Sequence, residues 1–227
     1  LKTTQSIMSK ECFYSSSLGR KVFMAITGAF LVIFMLLHLT LNLFVLGGEE
    51  SYNAMTHFMS LPFIKYGLQP VLALGFIIHI IYGLFLAVKN SASRPIGYKK
   101  ADYGAASSWA SRYMWLTGTV ILLGIALHMV NFWVKIQITG LPDGVENDYQ
   151  LVVGLFQNSA LYTVLYIVWF IILGVHLAHG FWSMFQTTGQ AYVNWLPCLQ
   201  KIALVYCAVI SLGFIFVALW SRYVAVL

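Results

Sequence analysis

The sequence predicts an all-α integral membrane bundle of five transmembrane helices with a cytoplasmic N-terminus. Three observations predict it. Of 227 residues, 60% are apolar and 9% charged, against about 45–50% and about 25% in soluble domains. The mean hydropathy is +0.81. The charges, 13 Lys+Arg and 7 Asp+Glu, are clumped and leave long uncharged stretches between them. This composition excludes a disordered chain, a nucleic-acid-binding domain and a typical soluble enzyme, and the net charge of +6 reads as membrane topology.

A spanning helix needs roughly 20 apolar residues, because a rise of ~1.5 Å per residue must cover a core of ~30 Å. The uncharged stretch 22–48 predicts a first helix over about 20–46, and 66–88 a second over the same residues. Stretch 113–134 predicts a third over about 112–134. Stretch 149–200 has room for two spans, but its ends are polar: Gln157-Asn158-Ser159 before, and Gln186-Thr187-Thr188-Gly189-Gln190 after. One helix over about 159–185 and a loop up to Pro197 are therefore expected. Stretch 202–221 predicts the fifth helix, about 201–222. No internal repeat stands out, and the whole chain, 1–227, reads as a single transmembrane domain.

Basic residues set the orientation. Lys2, Lys10, Arg20, Lys21, Lys89, Arg94, Lys99, Lys100, Arg112 and Lys201 lie on one side; Lys65, Lys135 and Arg222 lie on the other with Glu49, Glu50, Asp143, Glu146 and Asp148. A bias of ten to three in short loops places the N-terminus and the 89–112 loop in the cytoplasm. Trp109, Trp115, Trp133, Trp195 and Trp220 stand near span ends, as interfacial aromatics do. The polar first twenty residues, with no small-residue cleavage site after the first apolar run, read as no removable signal. Cys12, Cys198 and Cys207 have no CxxC or metal-ligand spacing and read as inert thiols.

Ionisable residues within spans default to a functional hypothesis. Lys, Arg, Asp and Glu are absent from the span interiors, yet four helices carry histidine: His38, His79, His128, and the pair His176 and His179. Neutral imidazole ligates iron and other transition metals well. His38 is 16 residues and His128 15 residues from the cytoplasmic starts of their stretches, roughly 22–24 Å deep. On the oppositely directed helices, His79 and His176 are each nine residues from the cytoplasmic end, roughly 14 Å deep. Two stacked bis-histidine sites explain these two levels. Gly75, Gly83, Gly124 and Gly180 lie four residues from a histidine and share its helix face, which is the clearance a flat macrocycle needs. Close helix packing at glycine is the competing explanation, and histidines hydrogen-bonded between helices are the alternative for the whole set.

The motifs around these residues are His38-Leu-Thr-Leu-Asn42, Asn53-Ala-Met-Thr-His57-Phe-Met with Leu61-Pro62-Phe63, and His79-Ile-Ile-Tyr82-Gly83. Ser111-Arg112 with Thr117-Gly118, and His176-Leu-Ala-His179-Gly180-Phe-Trp182-Ser183, follow in order. With them the chain resembles the five-helix, di-haem cytochrome b membrane subunit (b558 type) of succinate dehydrogenases and fumarate reductases. The resemblance covers nearly the whole chain. It implies two haem b groups, a proximal one on His79 and His176 and a distal one on His38 and His128, the same pairs that depth suggests. It implies menaquinone as electron partner, a bacterial cytoplasmic membrane, and room for a higher oligomer of the complex.

Some relatives carry a carboxylate just after the His-Phe pair that ends the first outer loop, whereas Met59-Ser60-Leu61 follow His57-Phe58 here. Glu49, Glu50 and His57 are the remaining candidates at the quinone site. His179 is an alternative ligand, a propionate partner or a satisfied polar residue; the His-x-x-x-Gly spacing favours His176 as the ligand. Arg20, Ser111 and Arg112, at cytoplasmic helix starts, are candidate propionate contacts.

The chain has no glycine-rich nucleotide fingerprint and no cysteine cluster for iron–sulfur centres, so it does not oxidise succinate alone. The flavoprotein and iron–sulfur subunits are expected as separate chains on the cytoplasmic side, opposite Arg94, Lys99 and Lys100. The competing functions are another di-haem b cytochrome, which usually distributes its ligands differently over the helices, and a transporter using intramembrane histidines. Haem quantification on the purified protein is expected to give two low-spin b haems per chain. One or none would end the two-level arrangement.

Overall fold

The computed structural model describes residues 16–92, 113–187 and 194–227. Among them the chain is all-helical. Five segments are long and apolar enough to cross a membrane: Leu18–Met59, Ile64–Lys89, Met114–Thr139, Ala160–Thr187 and Leu196–Tyr223. The N-terminal residues before 16, the 93–112 loop with Arg94, Lys99, Lys100, Ser111 and Arg112, and residues 188–193 lie outside the described residues.

Helix α1 (Ser17–Asn42) starts where the Ser16 hydroxyl accepts the Gly19 N–H at 2.9 Å, a side-chain cap on an otherwise orphaned donor. It continues through a tight 3-10 turn, Leu43–Gly47, into α2 (Gly48–Met59). Gly48 has φ +80°, a left-handed conformation that a side chain would resist, and this lets the chain change direction there. A π-helical turn, Ile64–Leu68, feeds α3 (Gln69–Ala92). Helix α4 (Met114–His128) is prolonged by two π-helical segments, Met129–Trp133 and Lys135–Thr139, and stops at Gly140 with φ +83°.

The uncharged run 149–200 opens with a separate helix that the polarity argument leaves out, α5 (Asp148–Asn158). Asn147 caps it, accepting from the Gln150 N–H at 3.0 Å. It buries Tyr149, Leu151, Val152, Val153 and Phe156, so it is an amphipathic helix too short to span. Helix α6 (Ala160–Thr187) follows, and α7 (Leu196–Tyr223) begins with Pro197 in its first turn, where no N–H is needed.

Packing is closest between α6 and α7. Gly174 of α6 faces Ser211 of α7, and Gly213 of α7 faces Leu39 of α1, so backbones approach where side chains are absent. The core follows this seam through Tyr166, Phe170, Leu173 and Leu177 to Ile210, Phe214 and Val217, with Val153 and Phe156 of α5 closing one end. Helix α3 rests on α1, and α1 and α4 both rest on α6. Ile33, Leu37, Leu74, Ile77, Leu123, Val164, Ile171 and Leu204 turn outward and stay exposed. Apolar side chains outside and paired backbone inside suit a lipid environment. Cys198 is exposed and Cys207 buried, both as free thiols.

A Cβ at Gly124 would fall inside the Trp169 indole. Gly124→Val is therefore expected to lower the thermal midpoint of the detergent-solubilised protein, at an overpacking cost of about 1–3 kcal/mol. Gly180→Ala, where nothing lies within 4 Å of the new atom, serves as the control and is expected not to lower it.

Candidate functional site

The four helices that carry histidine bring them together in two pairs. His38 of α1 and His128 of α4 stand with ring centroids 5.7 Å apart and planes perpendicular. His79 of α3 and His176 of α6 lie within electrostatic reach of each other.

Aromatic rings surround the first pair. Phe34 stacks on His38 at 5.2 Å and Phe214 lies at 5.6 Å. Phe132, Trp169 and Tyr166 stand 5.1, 6.0 and 6.4 Å from His128. These rings are themselves tied down, because Trp169 Nε1 donates to the Ile121 carbonyl at 3.3 Å and Asn131 donates to the Tyr166 hydroxyl at 3.2 Å.

Threonines hold the second pair. His79 Nδ1 lies 3.3 Å from Thr27 Oγ1, and His176 Nδ1 lies 3.1 Å from Thr117 Oγ1. A glycine follows each threonine and lies beside the ring: a Cβ at Gly28 would be 3.6 Å from His79 Cε1, and one at Gly118 would be 3.7 Å from His176 Cε1. Sequence reasoning assigned no role to Thr27 or Gly28, and it used Thr117-Gly118 solely as a motif. The signal was present as a repeat, Thr-Gly followed by histidine eleven residues after the threonine, at 27–38 and again at 117–128.

That repeat measures the two levels. Thr27 marks the height of His79 on α1, and His38 stands eleven residues further along, about 16 Å at helical rise. The levels are thus wider apart than counting inward from the charged residues implies. Helices α1 and α3 continue past the uncharged stretches from which depth was counted, and α6 continues past Phe185, the end counted from for His176.

The glycine clearance reading is corrected at three positions. Gly75 packs against Phe30, Gly83 against the Met24 methyl and Gly124 against Trp169, so these glycines serve helix packing. At Gly180 the adjacent space is open. One residue earlier, His179 Nδ1 is buried without a hydrogen-bond partner, while its ring meets Trp182 edge to face at 5.4 Å. Among the described residues no third His, Cys, Asp or Glu joins either pair. Two imidazoles per site suit a metal that would bring further ligands of its own.

The polar candidates at the far end of α1 do not converge. Glu49 accepts a hydrogen bond from Asn147 Nδ2 at 2.9 Å and lines a cleft of about 360 Å³ with Tyr149, Trp220 and Val224–Val226. Glu50 and His57 are exposed on α2, and His57 lies eight residues from Glu49, about 12 Å along the helix. Tyr149 donates its hydroxyl to the Val226 carbonyl at 3.1 Å; burial, then the Glu49 charge, raises its phenol above the usual range despite that bond. The Arg222 guanidinium donates to the Phe156 carbonyl and so caps the C-terminal end of α5. Arg20, at the other end of the bundle, lies over the Phe85 ring at 5.1 Å.

No protein-family model matches this sequence, and no solved structure matches it. Among curated proteins it is similar to the succinate dehydrogenase cytochrome b558 subunit of Bacillus subtilis (strain 168), 27% identical over 191 residues. The match covers 82% of this chain and 86% of that relative. With five long apolar helices and a match that covers most of both sequences, the chain is similar along most of its length to the succinate dehydrogenase cytochrome b558 subunit of that organism.

Proposed function

We propose that this chain is the membrane anchor and electron-transfer subunit of a succinate:quinone oxidoreductase, holding two b haems between an iron–sulfur subunit and menaquinone. The observation that carries the reading is the pairing of four intramembrane histidines at two heights. The name of the Bacillus subtilis relative, a succinate dehydrogenase cytochrome b558 subunit, points the same way.

In this reading His79 and His176 hold the proximal haem iron, and His38 and His128 hold the distal one. Bound haem supplies reversible one-electron chemistry. The chain's own residues do the rest. Imidazole nitrogens fix two metals at a set separation, apolar helices exclude water, and the rings of Phe34, Phe132, Trp169 and Phe214 restrain the distal ligands. His179, with its unpartnered Nδ1, is the propionate contact best supported among the described residues. Glu49, in the cleft at the α2–α5 end, is the quinone-site candidate best supported, ahead of Glu50 and His57.

The flavoprotein and iron–sulfur subunits dock at the opposite end, near Arg20 and the 89–112 loop, which the charge bias assigns to the cytoplasmic side of a bacterial cytoplasmic membrane. Affinity purification from that membrane is the direct test of these partners. A flavoprotein and an iron–sulfur protein are expected to co-purify, and their absence would overturn the anchor role.

Redox titration of single variants tests the pairing. His38→Ala and His128→Ala are expected to remove one of two haem components, and His79→Ala and His176→Ala the other. Loss of the same component from the His38 and His79 variants would overturn the pairing.

The two histidines of α6 separate in the same way. His176→Ala is expected to lose the proximal haem or render it high-spin. His179→Ala is expected to keep a low-spin spectrum, since it removes a hydrogen-bonding group worth about 1–3 kcal/mol when buried. The reverse result would make His179 the ligand.

A further inference from the structure

Two threonines on different helices make the same contact to two histidines on two further helices. Thr27 Oγ1 lies 2.9 Å from the Phe23 carbonyl and 3.2 Å from that of Met24, and Thr117 Oγ1 lies 3.1 Å from the Met114 carbonyl. A hydroxyl has a single proton. In each case a backbone carbonyl one turn earlier takes it, the usual bond of a threonine inside a helix. The oxygen is then left as an acceptor toward the ring nitrogen 3.3 Å away in His79 and 3.1 Å away in His176. An acceptor facing Nδ1 requires the ring proton to be on Nδ1, and a neutral imidazole with that proton has its lone pair on Nε2.

We infer that Thr27 and Thr117 are positioning residues that hold His79 and His176 in the Nδ1–H tautomer, aim both Nε2 lone pairs and make both rings stronger donors. The inference rests on the proposed haem ligation by these two histidines and adds to it the groups that select the nitrogen. Gly28 and Gly118 lie beside the ring edges, where an added Cβ would make ordinary van der Waals contact with Cε1 at 3.6 and 3.7 Å. The arrangement is specific to one level: among the described residues no hydrogen bond reaches the ring of His38 or His128, and the Asn42 amide donates to the His38 backbone carbonyl at 2.8 Å.

A hydrogen bond to the outer nitrogen of a metal-bound histidine raises its basicity, and its loss typically costs 10–100-fold in metal affinity or activity. A more basic ligand favours the oxidised, more positive metal, so removing the acceptor favours reduction. The test is a spectroscopic redox titration of the full chain in its membrane complex, carrying Thr27→Val, Thr27→Ser, Thr117→Val or Thr117→Ser.

Each valine variant preserves shape and removes the acceptor. Each is expected to shift the reduction equilibrium of the component that His79→Ala removes by about tenfold toward the reduced form, which is ~59 mV for one electron. The other component is the internal control and is expected not to move. Each serine variant retains the hydroxyl and is expected to titrate as the unsubstituted protein does.

Valine variants that titrate like the unsubstituted protein, serine variants that shift as much as valine, or equal shifts of both components would overturn the positioning role while leaving the ligation standing. Failure of both His79→Ala and His176→Ala to remove a component would overturn the ligation, and this inference with it.

Discussion

An imidazole placed among apolar helices has two nitrogens to satisfy and no water with which to do it. Much of the arrangement of the bundle follows from that. His38 and His128 relate α1 to α4, and His79 and His176 relate α3 to α6. The threonine contacts add the remaining links, α1 to α3 through Thr27 and α4 to α6 through Thr117. The two threonine contacts and the His38–His128 ring contact thus run through four helices in turn, from α3 to α1, α4 and α6. Helix α7 has no histidine and contributes in a different way, giving α6 a long apolar seam through Ile210, Phe214 and Val217.

The two ends of the molecule are built unlike each other. At the α2–α5 end, polar side chains meet across elements. Glu49 takes a hydrogen bond from Asn147, Asn53 accepts from the Tyr149 N–H at 3.1 Å, and Gln157 donates to the Ala225 carbonyl at 2.8 Å. Arg222 closes the same region from α7. This end is a packed cap, and Val153 at its centre is fully buried. The cleft beside Glu49 opens at the margin of that cap, where apolar chain ends and one carboxylate share a surface.

The five long helices were legible because charge avoids apolar spans, and that single rule locates them without any knowledge of neighbours. Helix α5 was not legible by the same rule. Its residues are as uncharged as those of a span, and its amphipathic face shows itself once Tyr149, Leu151 and Phe156 are seen buried against α7 and α2. The histidines could be read by type and position. The glycines beside them could not, because what a missing side chain admits depends on the neighbouring helix: Phe30 at Gly75, Trp169 at Gly124, open space at Gly180. The contacts of Thr27 and Thr117 were not legible, although Thr117 belongs to one of the motifs, because threonine is ordinary within a membrane helix. Their repeated distance from a histidine was informative, and their identity alone was not.

That distance has a consequence for how the chain can vary. At about 100° per residue, eleven residues complete three turns with roughly 20° to spare, so a threonine and a histidine that far apart point to nearly the same side. Segments 27–38 and 117–128 therefore behave as rulers that set both the height and the heading of two different attachment points. One inserted or deleted residue would swing one attachment point by about 100° relative to the other, and no side-chain adjustment recovers that. Substitutions can accumulate between the marks as long as they stay apolar. Changes of length are instead confined to loops such as 140–147, where neither ruler is read.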